Sequence, residues 1–414
     1  MQGLLFLAVC TLPIFSCFLL YPLLSSKFTQ EIGDGEKIST IDGLRGLSAT
    51  AVIIHHGILM SNLFIDSTWK INAGYIAYFN EATHRILTQF GSFGVMVFFM
   101  ITGYLFWNKA LNNGGAGDVG VFYRRRIYRL LPLYLFAVIA VYGLSFLIGF
   151  SDKMDIRYFV HSLASWLSFG FIQGMPLTDS KPGWLILCGV FWTLAIEVKF
   201  YALFPFLSSL CKNRGVSLAL LLGAIVVLLA LLRCDAIAGG TYSILFAFIG
   251  GMLTATLHRF SSFRHETQNI NSQPWLNSLF AALAIGSVAL SFSLFDFAYT
   301  SLSVLLIALF FLITASGNTL FGLLTLKPIR FSGIVSYSSY IIHGLVLTSA
   351  FTLIYPRYGA LAALSVAFVL VTLISALTYL KIEKPFIMLS HGKAQRRAPQ
   401  TPVRPASQRA SLTE

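Results

Sequence analysis

Long apolar runs, separated by short polar stretches, recur from one end of the chain to the other. Eleven of them lie at 3–24, 42–60, 90–108, 127–150, 185–210, 216–233, 240–257, 276–294, 297–316, 334–354 and 359–380. A hydrocarbon core about 30 Å thick needs about 20 apolar residues per helix, and these runs meet that length. Composition agrees: 56% of residues are hydrophobic and 11% are charged. A soluble domain carries about 25% charged residues. Disorder is excluded because disordered chains are poor in apolar residues. A net charge of +13 alone would suit a nucleic-acid binder, but a mean hydropathy of +0.76 does not. The expected fold class is therefore an all-α polytopic membrane protein that engages membrane lipid and no nucleic acid.

The Lys and Arg residues give the orientation. Lys109, Arg124, Arg125, Arg126 and Arg129 fall in one connection, 109–129. Lys212 with Arg214, Arg259 with Arg264, and Lys327 with Arg330 mark later ones, and seven more cations follow Leu380. These connections share one side only if the polar stretch 158–174 does not cross, so it reads as interfacial or re-entrant. The basic side, with the C-terminus, is then cytoplasmic, and its segments account for the whole +13. The run 3–24 lacks a positively charged start and a clear cleavage site, so a retained helix is expected there rather than a signal peptide. The segment 391–414 is rich in Pro, Gln, Ser and Arg and reads as disordered. Cys10, Cys17, Cys188, Cys211 and Cys234 show no metal-ligand spacing and read as small hydrophobic residues, so no metal site is expected. Gly115 to Gly120 fits a dinucleotide-loop pattern, but no strand precedes it and a loop is expected.

Ionisable groups at bilayer depth are costly and mark function. Arg45 and His56 are eleven residues apart in one run. At about 100° per residue they share a helix face, about 16 Å apart, while His55 points elsewhere. An imidazole there is either a hydrogen-bonded structural group or a base for a hydroxyl. Glu197 lies mid-span among apolar neighbours and needs a partner, expected on another helix, with His56 or Arg45 as candidates. Thr102 and Gly103 permit close helix approach. The arginines of Tyr123 to Tyr134 suit phosphates, and they suit simple topology setting equally well. Ser336 to His343 begins a late span, with His343 about a third of the way in as either a core histidine or a site residue.

In order along the chain, these pieces resemble the acyltransferase-3 family of integral-membrane acyltransferases. Arg45 and His56 match the family's Arg-x10-His helix, and Phe98 to Tyr104 its FFxxSG[FY] segment, with Thr102 in place of Ser. Arg125, Arg126, Arg129, Pro132 and Tyr134 match an arginine collar. Trp192 to Tyr201 match a Trp-to-Tyr stretch, with Lys199 where Gln is common. Ser336 to His343 match a late SYxxYxxH helix, and Glu383 to Pro385 a closing ExP. The resemblance implies a ten-helix acyltransferase core at 41–386. An extra N-terminal transmembrane helix and linker would occupy 1–40, and a disordered basic cytoplasmic tail 387–414.

The resemblance also implies transfer of an acyl group, often acetyl, from cytoplasmic acyl-coenzyme A to a hydroxyl. The acceptor would be a cell-surface or lipid-linked carbohydrate and the location the bacterial inner membrane. His56 is implied as the catalytic residue. The expected roles are then donor phosphates on Arg125, Arg126 and Arg129 beside Tyr134, and Arg45 near the thioester. His56 acts as base or acyl carrier, and Glu197 orients it or a partner. Trp192, Thr102, Gly103, Tyr201 and His343 support the site. A transporter or flippase for a lipid-linked sugar is the competing class, although no internal repeat is evident.

Overall fold

The computed structural model describes residues 2–33, 39–70, 80–115, 117–179, 183–234 and 239–395. Among them there is no strand. The helices run α1 (Gln2–Cys10), α2 (Leu12–Leu24), α3 (Thr29–Gly33), α4 (Ser39–Asp66), α5 (Glu81–Asn113), α6 (Val119–Ile148), α7 (Ile156–Trp166) and α8 (Phe191–Ser209). They continue with α9 (Arg214–Arg233), α10 (Gly239–Leu257), α11 (Ser261–Ser272), α12 (Pro274–Leu294), α13 (Ser301–Ala315), α14 (Lys327–Ile334), α15 (Ser336–Thr378) and α16 (Lys384–Gln395). Nine helical stretches among the described residues are long and apolar enough to cross a membrane. One of them, Ser336–Ser390, is 55 residues long and breaks at Gly359, whose φ of 77° no L side chain adopts easily. Pro356 precedes the break and also disfavours a straight helix. The two runs expected at 334–354 and 359–380 are the two sides of this break. The chain is a multi-pass, all-α integral membrane protein.

Helix α7 is 11 residues long, about 16 Å. That is too short to cross, in keeping with the interfacial reading of 158–174. Asp155 caps it, accepting from the Tyr158 N–H at 2.7 Å.

Three boundaries differ from expectation. The arginine collar belongs to a helix rather than to a long loop. Gly114, at φ 67°, ends α5, and the Asp118 carboxylate caps α6 by accepting from the Val121 N–H at 2.9 Å. Only a short connection is left between them, and Arg124 to Arg129 ride on the first turns of α6. The run 185–210 is broken: Gly183–Leu187 forms a 3₁₀ turn, and Cys188 and Gly189, at φ 53° and 70°, redirect the chain into α8. Helix α16 carries regular structure through Gln395, into the segment expected as tail. The rest of that tail, 396–414, lies outside the described residues.

Glycines set the closest approaches. A Cβ on Gly103 would strike the carbonyl of Phe248, and one on Gly251 that of Met100, so α5 and α10 cross backbone to backbone. The first helices pack on the C-terminal part of the chain. Phe28, fully buried, meets Phe331 edge-on at 4.9 Å and stacks on Tyr379 at 5.5 Å. Lys384 pairs with Glu31 at 2.8 Å across the same junction.

Candidate active site

Helix α4 positions both of the residues that the spacing singled out. Arg45 lies near its start and His56 about 16 Å further along. They open into different chambers. Arg45 lines a cavity of about 120 Å³ together with Arg126, Arg129, Thr102, Glu197 and Tyr201. His56 lines a cavity of about 620 Å³ walled by Trp69, Trp166, Trp184, Trp192, Phe191 and Tyr299. Among the described residues only Val95 and Tyr340 belong to both linings.

In the larger chamber His56 has a partner that the sequence did not name for it. Its Nδ1 lies 2.8 Å from Nε2 of His343. The ring planes are 9° apart and their centroids 5.1 Å apart, the spacing of two coplanar rings meeting edge to edge. Proton positions follow from the next contact. Nδ1 of His343 faces the carbonyl oxygen of Ser339 at 3.0 Å. A carbonyl only accepts, so this nitrogen carries the proton and Nε2 is a lone pair. Nδ1 of His56 must then donate, and Nε2 of His56 is left as the base. His343 is buried completely, which fixes the chain of bonds in place. Cys188 Sγ lies within 4.8 Å of both imidazoles, a trio with metal-ligating chemistry. The two ring nitrogens are already joined to each other, which suits a proton relay better than a shared ion. His55 also lines this chamber, but its Nδ1 faces the Leu87 carbonyl at 3.1 Å.

In the smaller chamber Arg45 donates to Ser336 Oγ at 3.1 Å. The Arg126 guanidinium lies over the Phe106 ring, 4.9 Å from its centroid. Glu197 is not bonded to a neighbouring helix as expected. It accepts from the Tyr201 hydroxyl, one turn along α8. That spacing, i to i+4, places the two side chains on one face, so an apolar span can satisfy its carboxylate internally. Glu197 therefore belongs to the arginine chamber and not to His56. Glu383, which the sequence left without a role, accepts from Ser338 at 3.0 Å and is close enough to Arg129 and Arg45 to feel both charges. A single π-helical turn, Tyr379–Glu383, aims it there.

Two residues expected at the donor phosphates, Arg125 and Tyr134, are not in the lining of the arginine chamber, unlike Arg126 and Arg129. Tyr134 is fully buried and pins the re-entrant segment. Its hydroxyl donates to Trp166 O at 2.5 Å and accepts from the Phe169 N–H at 2.8 Å, and its ring stacks on Phe169 at 4.1 Å. It thus holds one wall of the aromatic chamber. Thr102 lines the arginine chamber and Gly103 serves the α5–α10 crossing. Trp192 stands half-exposed in the aromatic wall.

The profile of the acyltransferase-3 family, an acyltransferase domain, matches residues 38–380. The chain belongs to that family. It is 27% identical over 365 residues to the "Putative membrane-bound transacylase BcsY" of Komagataeibacter xylinus, covering 83% of this chain and 81% of that one. It is 25% identical over 179 residues to "O-acetyltransferase OatA" of Staphylococcus aureus, covering 42% of this chain and 25% of OatA. No solved structure matches the chain. The chain is thus a multi-pass membrane acyltransferase, and the extra helices α1 and α2 precede the family-matched region.

Proposed function

We propose that this acyltransferase moves a short acyl group, acetyl in the simplest case, from acyl-coenzyme A to a hydroxyl of a cell-surface or lipid-linked carbohydrate. The observation that carries the reading is the pair of chambers along α4, one cationic and one aromatic with a histidine base. Arginine forks bind the donor's phosphates, with Arg126 and Arg129 as the direct contacts. Aromatic faces suit the apolar faces of a sugar ring, and the tryptophans of the larger chamber offer them. His56 Nε2 takes the acceptor's hydroxyl proton as the oxygen attacks the thioester carbonyl. The new oxygen–carbon bond forms, the carbon–sulfur bond breaks, and the proton passes to the departing coenzyme A thiolate. His343 holds His56 in the reactive tautomer, as an orienting partner does for any catalytic imidazole.

The protein sits in the bacterial inner membrane in this reading. Its basic connections and C-terminus are in the cytoplasm, where acyl-coenzyme A is available. The test is purified protein with labelled acetyl-coenzyme A, with and without a carbohydrate extract from the cell surface. Extract-dependent release of free coenzyme A, and label in the glycan, is the expected result. Absence of donor turnover together with intact glycan translocation would instead favour a transporter.

A further inference from the structure

Among the described residues the two chambers share Val95 and Tyr340, so a group passing from the arginine side to His56 by that junction passes these two side chains. Tyr340 is held at that junction by two contacts. Its hydroxyl lies 2.6 Å from Thr193 Oγ1 on α8. Thr193 Oγ1 also donates to the Val190 carbonyl at 2.8 Å, which commits its single proton. Tyr340 is therefore the donor in its bond to Thr193. Phe98, one turn of α5 beyond Val95, meets the Tyr340 ring edge-on at 5.8 Å and 71°. The ring is thus a tied cross-member between α5 and α8. It lies one turn of α15 before His343, with ring centroids 6.0 Å apart.

The chambers differ in what they can hold. The arginine side is about 120 Å³ and is walled in part by Arg45, Arg126, Arg129 and Glu197. A long hydrocarbon chain folded into it would separate charged groups from their partners, which is costly. The aromatic side is about 620 Å³ and is not the limiting space. We infer that Tyr340, tied to Thr193, is the specificity-determining residue for the acyl group. It is a partition that a two-carbon acyl group passes and a long chain does not. This inference rests on the proposed use of acyl-coenzyme A.

The experiment compares acetyl- and octanoyl-coenzyme A as donors, with the cell-surface carbohydrate extract present as acceptor, reading kcat/KM by extract-dependent release of free thiol from purified full-length protein. The wild type should prefer acetyl by about tenfold or more, the discrimination that a hydrophobic size limit readily supplies. Tyr340→Ala should raise the octanoyl-to-acetyl ratio by about tenfold or more. Thr193→Val keeps the volume and removes the hydroxyl, and with it the tie to Tyr340 and the local bond to the Val190 carbonyl. It should raise the same ratio by a smaller factor, and it carries the test alone if Tyr340→Ala does not fold. A wild type that favours octanoyl, or a ratio that stays constant in the folded variants, overturns the partition. Failure of the wild type to release thiol from either donor overturns the acyl-coenzyme A reading itself, with which this inference falls.

Discussion

At the scale of single residues the relay Ser339–His343–His56 makes a graded claim. His56→Ala should lower kcat by about 10²–10⁴, the usual contribution of a general base, with the donor KM little changed. His343→Ala leaves the base in place but removes its orientation, and should still cost about a hundredfold. His55→Ala should cost less than about tenfold, since its bond to the Leu87 carbonyl is a packing contact. Thiol release at matched membrane abundance measures all three, and an unimpaired His343 variant would remove the relay. The donor contacts can be separated in the same assay. Loss of a charge-assisted bond predicts about a tenfold rise in donor KM for Arg126→Gln and for Arg129→Gln. Arg125→Gln should change it by no more than about twofold.

The face shared by Arg45 and His56 was legible because helical periodicity fixes angles within one element. The partner of His56 was not, because His343 is 287 residues away and periodicity is silent on which helices meet. Glu197 failed in the opposite direction: its partner stood four residues along the same helix. The i to i+4 rule points to Tyr201, because residues four apart share a helix face. Tyr134 sits in an arginine-rich stretch of sequence, but its hydroxyl serves the backbone of the re-entrant segment, a contact that local sequence does not encode.

At the scale of elements, run length was a good guide to helices and a poor guide to their ends. Caps decide ends, and Gly114 and Asp118 were present in the sequence as such signals. The break at Gly359, beside Pro356, was legible as a gap between two runs. The turn at Cys188 was not, because a cysteine at positive φ leaves no compositional mark. The N-terminal helices show how an added element is secured. Phe28 fills the space between Phe331 and Tyr379, and the Lys384–Glu31 pair closes the junction. Phe28→Ala should destabilise the protein by about 3–5 kcal/mol, as full truncation of a buried Phe does. Thermal unfolding in detergent would register it as a lowered Tm. A retained Tm would mean that α2 and α3 contribute little to the folded state.

For the whole molecule, the charge distribution and the two chambers make one directional argument. Arg45 lies near the start of α4, beside Asp42, which pairs at 3.6 Å with Arg330 of one basic connection, and His56 lies beyond the middle of that 28-residue helix. The cationic chamber therefore belongs to the basic side, and the aromatic chamber to the opposite one. Short basic loops remain cytoplasmic during insertion, so donor and acceptor should meet the protein from opposite faces of the membrane. Membrane vesicles of defined orientation test this. In inverted vesicles, where the basic side faces out, added acetyl-coenzyme A should be consumed. In right-side-out vesicles it should be consumed only after permeabilisation, because the donor's charged phosphates do not cross the bilayer. Equal consumption by both intact preparations would break the assignment of donor to the basic chamber. The relay at His56 would still be testable, since its geometry does not depend on which face supplies the thioester.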